Sequence, residues 1–177
     1  MRKVDIEIIT PQTFQSALTG LSVILEQCVQ LQASIGFVLP FSIEEATRYW
    51  LDNVLEKIKT ENIVLFIARI DDLVVGTVQL DIGMPDNQQH RADVAKLLVH
   101  PLYQRKGIAK ILMLALEKEA LLRARTLLVL DTKTGDSAEP LYLSLKYQLA
   151  GVIPNFAKNP AHDGYASTSI MYKKISW

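Results

Sequence analysis

Apolar and polar positions alternate with period two from Val4 to Ile9, so Val4, Ile6 and Ile8 share one face and predict a short first strand. The spacing then changes to that of a helix. Thr10-Pro11 supplies a capping hydroxyl and a proline suited to the first helical position, and Phe14, Ala17, Leu18, Leu21, Leu25 and Cys28 follow on one stripe. Ser34 to Phe41 breaks the pattern with Gly36 and Pro40 yet keeps Ile35, Phe37, Val38, Leu39 and Phe41, a loop that either packs under the next helix or lines a pocket. Ser42-Ile43-Glu44-Glu45 has the form of a capping box and opens a second helix with Ile43, Ala46, Trp50 and Val54 buried. Ile63–Ile70 and Leu73–Ile82 read as strands joined by a tight hairpin at Asp71-Asp72, and Gly76 marks a bulge or a close backbone approach. Met84 to His90 is a loop and Arg91–Val99 a further strand.

After Gly107 the period returns to a helical one, with Ile108, Ile111, Leu112, Ala115, Leu116 and Leu122 inward. Thr126–Thr132 is a nearly continuous apolar run, as a strand covered on both faces would be. Gly135-Asp136-Ser137 precedes a helix carrying Leu141, Tyr142, Leu145 and Lys146. The chain closes with a short strand at Leu149–Ile153, a long loop from Pro154 to Gly164 and a last strand from Tyr165 to Ile175. Without repeats, low-complexity segments or linkers, this order predicts a single α/β domain over residues 1–177 with a mixed sheet.

Composition narrows the function classes. Apolar residues make up 49% and charged residues 21%, and Lys+Arg equals Asp+Glu at 19 each, so no net field draws the chain to nucleic acid or an anionic membrane. Cys28 is the sole cysteine, which excludes an internal disulfide, and on the buried stripe it reads as core. His90, His100 and His162 lack partners at ligand spacing, so no metal site is expected. The N-terminus lacks the apolar core of a signal peptide and no run is long enough to span a bilayer, which points to the cytoplasm. Dinucleotide, P-loop and nucleophile-elbow motifs are all missing.

One stretch carries chemistry of its own. Val99 to Leu116 runs from a strand end through a proline and a short basic turn into a helix. The turn Gln104-Arg105-Lys106-Gly107-Ile108-Ala109 aims backbone N–H groups at one point, and the helix adds the positive end of its macrodipole, which suits a phosphate-bearing ligand.

Val-x-Pro-x-Tyr-Gln-x-x-Gly-x-Ala over residues 99–109 resembles motif A of the GNAT superfamily of N-acetyltransferases, with Gln104, Gly107 and Ala109 at its marked positions. Ala138, Leu141-Tyr142 and Tyr147 resemble a second family segment, although Gly135 stands where many members have Asn and Lys146 replaces the usual Gly. Leu130-Asp131-Thr132 through Tyr147, with Ser34-Ile35-Gly36-Phe37 and the chain length, is most similar to the tabtoxin-resistance type of antibiotic-modifying acetyltransferase.

That resemblance implies a GNAT-like fold, a mixed, mostly antiparallel sheet of about seven strands flanked by four helices, and acetyl-CoA as co-substrate. It places the pyrophosphate on Arg105 through Ala109 with Arg105 or Lys106 adding side-chain contacts, the pantetheine arm along Leu97, Leu98 and Val99, and the oxyanion donor at the Leu97 N–H on a bulged strand. Tyr142 matches the acid that protonates the leaving thiolate. A primary amine with a pKa near ~10 must lose a proton before it attacks, and Asp93 or Asp131 is the candidate base or ammonium anchor. The implied activity is transfer to a small-molecule amine within a ternary complex. A non-catalytic acyl-CoA-binding sensor and a protein N-terminal acetyltransferase are the alternatives, and the resemblance is compatible with a homodimer.

Overall fold

The computed structural model describes residues 3–177; Met1 and Arg2, at the start of the stretch read as lacking a signal segment, lie outside the described residues. Seven strands form one sheet in the order β1-β2-β3-β4-β5-β7-β6. They are β1 (Asp5–Ile9), β2 (Ile63–Ile70), β3 (Leu73–Asp81), β4 (Arg91–Val99), β5 (Leu127–Lys133), β6 (Gln148–Lys158) and β7 (Tyr165–Lys174). All neighbours are antiparallel except β4 and β5. Helix α1 (Phe14–Gln30) and the segment α2 (Ile43–Arg48), a π-helical stretch Tyr49–Leu55 and α3 (Glu56–Lys59) cover one face. Helices α4 (Ile108–Leu122) and α5 (Ala138–Ser144) cover the other. This is the mixed, mostly antiparallel architecture expected.

Alternation along the central strands separates two cores. Val64, Phe66 and Ala68 of β2 face Leu112, Met113 and Leu116 of α4, while Leu65 and Ile67 face Leu21, Ile24 and Leu25 of α1. Gly76 is a close approach: a Cβ built there would lie 3.1 Å from Ile108 Cγ2 and Leu112 Cδ1 and 3.2 Å from the Leu98 carbonyl oxygen. The glycine lets the start of α4 sit directly on β3.

Four local expectations are corrected. Helix α1 begins at Phe14, because Thr10 and Thr13 bond each other's backbone N–H in a turn that occupies the preceding residues. The second helix has its capping box, with the Ser42 N–H donating to Glu45 Oε2 at 2.8 Å and the Glu45 N–H to Ser42 Oγ at 3.2 Å, but widens into the π-helical stretch at Tyr49. Strand β5 is buried on one face only, since Leu128 and Leu130 face the core while Asp131 opposite them is exposed. Strand β6 continues to Lys158 through what reads as a loop; Pro154 is tolerated because β6 is the sheet edge and the register shifts between Ile153 and Ala157.

Candidate active site: a cleft where two parallel strands part

Strands β4 and β5 are paired at Arg91, Ala92 and Asp93 against Leu127, Leu128 and Val129, and beyond that register they separate. The residues from Val94 to Val99 therefore have β3 on one side and open space on the other. Two cavities fill the gap and share Leu97, Val99, Gln104, Ser137 and Ala138, which makes one continuous cleft through the sheet.

The α4 half of the cleft, about 260 Å³, is lined by Leu97, Val99, Gln104, Arg105, Gly107, Ile108 and Ala109. Gln104 is extended, Arg105 and Gly107 are left-handed with φ of +60° and +81°, and Ile108 begins the helix. A Cβ placed on Gly107 would meet nothing within 4 Å, so the glycine serves backbone conformation and leaves open space at the helix start. The Gln104 side chain donates to the Val99 carbonyl at 3.2 Å, pinning the turn to the strand end. Lys106 lies outside this group: its ammonium turns back to the Leu102 carbonyl at 2.9 Å and over the Tyr103 ring at 4.8 Å.

The β4 edge is bulged where the oxyanion donor is expected. Thr77 and Gln79 of β3 pair with Leu98 and Ala95, so Lys96 and Leu97 together oppose Val78, and Lys96 takes the left-handed φ of +51°. Leu97, Leu98 and Val99 all line the cleft, and Leu98 also belongs to the α1-side core.

Tyr142 reaches the cleft from α5 and is only 6% exposed, its ring 5.8 Å from that of Tyr147. Burial, with smaller contributions from Asp131 and Asp136, pushes its phenol well above the usual range, so the group stays protonated throughout neutral pH. Asp131 and Asp93 part company. Asp131 lines the α1-side cavity, and its closest donor, the Thr168 hydroxyl, is 3.5 Å away and better placed for the Thr132 carbonyl at 3.0 Å. Asp93 sits outside that cavity, in the still-paired part of β4, and is ion-paired to Arg91. Burial raises its carboxyl, Arg91 opposes this, and Asp81 across the β3 pair adds a like charge.

The cleft between diverging β4 and β5, with a glycine-started helix at one end and a buried tyrosine beside it, lies within or directly beside the stretch that a family model matches. The model of the acetyltransferase (GNAT) family matches residues 28–147. The chain belongs to the GNAT acetyltransferase family. It is 27% identical over 117 residues, 65% of its own length and 67% of the relative's, to an uncharacterised N-acetyltransferase from the hisH-hisA intergenic region of Azospirillum brasilense. The fold matches an N-acetyltransferase from Staphylococcus aureus Mu50 at a TM-score of 0.78 and 16% identity, covering 98% of this chain and 99% of that one. It also matches a Salmonella typhimurium protein solved with its cofactor acetyl-CoA, at a TM-score of 0.77 and 15% identity over 98% and 94% of the two chains.

The acetyltransferase has a second half to its cleft, of about 360 Å³, on the α1 side. Ser34, Ile35 and Gly36 wall it on one side, and Phe156 and Ala157 of β6 on the other. The 34–41 loop thus does both things its composition allowed, since Phe41 is buried in the core while Ser34 to Gly36 face the cavity. Tyr49 is the aromatic beside the cavity wall, meeting Phe37 edge-on at 5.2 Å and accepting from Gln79 at 3.3 Å, while Trp50 is wholly core.

Sequence reasoning missed Lys96. A lysine in an apolar strand reads as solvated, and only the bulge turns it inward, where its ammonium donates to the Ile35 carbonyl at 2.8 Å and lies 5.6 Å from the centres of both the Phe37 and Tyr49 rings. Burial pulls its pKa down, against a smaller opposing pull from Asp131. Cys28 also lines the cavity floor; its thiol, 3.7 Å from the Val99 carbonyl, is pushed up to about 11 by burial and is inert as a nucleophile at neutral pH. Among the described residues no cluster of metal-ligating side chains occurs, and no helix is long and apolar enough to cross a membrane.

Proposed function

We propose that residues 1–177 act as one N-acetyltransferase domain that moves an acetyl group from acetyl-CoA to a primary amine of a small molecule, an antibiotic, toxin or metabolite, by direct attack in a ternary complex. The observation that carries this reading is the continuity of the cleft: an anion cradle, an unpaired strand edge, a buried phenol and a half-open polar chamber succeed one another along the β4–β5 gap. The likeness of the 130–147 run and of residues 34–37 to the tabtoxin-resistance type favours a small acceptor.

The chain's residues divide the work. Backbone N–H groups from Arg105 to Ala109, with the start of α4, suit a pyrophosphate, and the open space over Gly107 admits it. The free edge at Leu97 to Val99 offers strand-type hydrogen bonds to an extended amide arm. When bound, the coenzyme supplies an activated acyl carbon for the amine. The Leu97 N–H, released from β3 pairing by the bulge, is the donor for the acyl oxygen as it gains charge. Tyr142, held as a neutral phenol, donates to the departing sulfur. Asp131, open to the chamber, takes the ammonium and its proton directly or through water, while Asp93 is committed to Arg91.

Incubation with acetyl-CoA and a broad panel of amines and peptides, following free thiol, tests the reading. The expected result is thiol release with small primary amines. Release with peptide N-termini alone would replace the acceptor class, and intact coenzyme binding without release for any acceptor would replace the enzyme with a coenzyme-binding sensor.

A further inference from the structure

Resting on that reading, we infer that the acceptor is a primary amine that also carries a carboxylate, anchored by Lys96. Lys96 from the β4 bulge and Asp131 from β5 bring a cation and an anion to neighbouring walls of the α1-side chamber, whose lining also includes Lys133 and Asp136. Lys96 is held inward by three things. Its backbone is left-handed at φ +51°, a conformation a bulky residue adopts only when its surroundings enforce it. Its ammonium donates to the Ile35 carbonyl, and two aromatic faces flank it.

An ammonium has three protons to donate, and among the described residues one hydrogen bond to protein uses one of them. No carboxylate lies within ion-pair distance of Lys96 among the described residues. A half-buried cation with spare donors and no carboxylate in direct contact is destabilised, and burial lowers its pKa against a smaller opposing pull from Asp131. A ligand carboxylate restores the missing charge. Phe37 and Tyr49 strengthen the contact by keeping water off one side of the pair. Asp131 then receives the amine end, beside Tyr142, whose phenol its charge already perturbs. The two poles fix which end of the acceptor points toward the coenzyme half.

The test pairs each α-amino or ω-amino acid with its own carboxamide and its decarboxylated amine, in turnover and in calorimetric titration onto the coenzyme-A-loaded protein, for wild type and Lys96→Met. Methionine keeps the unbranched apolar stem and removes the charge. The acid should be preferred in kcat/KM and in affinity by about tenfold or more, and Lys96→Met should erase that preference through KM while leaving the carboxylate-free amines within a factor of a few. Equal use of acid and amide by wild type, or an equal loss for both in Lys96→Met, would overturn the anchor and leave Lys96 as a strut for the 34–36 loop. Lys96→Arg, which keeps the charge, should retain the preference for the acid over its amide, and loss of that preference in this variant would count against the anchor. Should no amine release thiol, the acetyltransferase reading falls, and the titration of acid against amide still decides the anchor.

Discussion

A phenol buried to 6% exposure, with its pKa raised by burial and by Asp131 and Asp136, is a poor free acid but a permanently protonated one. In the proposed thiol-releasing reaction its part is therefore that of a fixed hydrogen-bond donor, protonated throughout neutral pH. Phe in place of Tyr142 keeps the ring packed on Tyr147 and removes only that donor; kcat should fall roughly 10²-fold while coenzyme affinity, measured by titration, stays nearly unchanged. The pH profile should show no descending limb from this tyrosine below the ordinary tyrosine range, because its shift is upward. Tyr142 was legible because motif and position coincide. Lys96 was not, since the direction of its side chain depends on a bulge set by the register of β4 on β3, a long-range property.

At the scale of elements, the joint between β3, β4 and the start of α4 governs the site. Gly76→Ala drives a methyl into Ile108, Leu112 and the Leu98 carbonyl, and the two side chains can yield while the carbonyl cannot. We expect a loss of about 1–3 kcal/mol in denaturant unfolding, accompanied by weaker coenzyme binding because Ile108 begins the helix that faces the cradle. Period and capping made nearly every element readable, including the capping box at Ser42 and the strand from Arg91 to Val99. The π-helical widening at Tyr49 and the extension of β6 through Pro154 had no local signal; one is decided by packing on α1, the other by being at the sheet edge, where a missing N–H costs no pairing.

Across the whole molecule, two segments more than a hundred residues apart, each running on from a wall of the α1-side cavity, are stitched together. The Leu39 N–H donates to the Pro160 carbonyl at 2.9 Å, and the His162 ring meets the Leu39 carbonyl. His162→Ala removes one stitch without touching the cradle, so KM for the acceptor should rise several-fold while KM for acetyl-CoA is unchanged in the same thiol-release assay. The sequence marks both segments as loops but not their contact, which exists only because β6 and β7 carry the 159–164 turn back to the 34–41 loop.

The parting of β4 from β5 after three pairs also means that this sheet has an edge in its interior. An ordinary outer edge is blunted by bulges, prolines or charge, as β6 is by its register shift and Pro154. The inner one from Val94 to Val99 is guarded instead by its neighbours, because it opens into a cleft walled by residues of β5 and α5 and not onto the outer rim of the sheet. An enzyme built this way can keep unpaired strand backbone as a permanent docking rail without becoming a seed for aggregation.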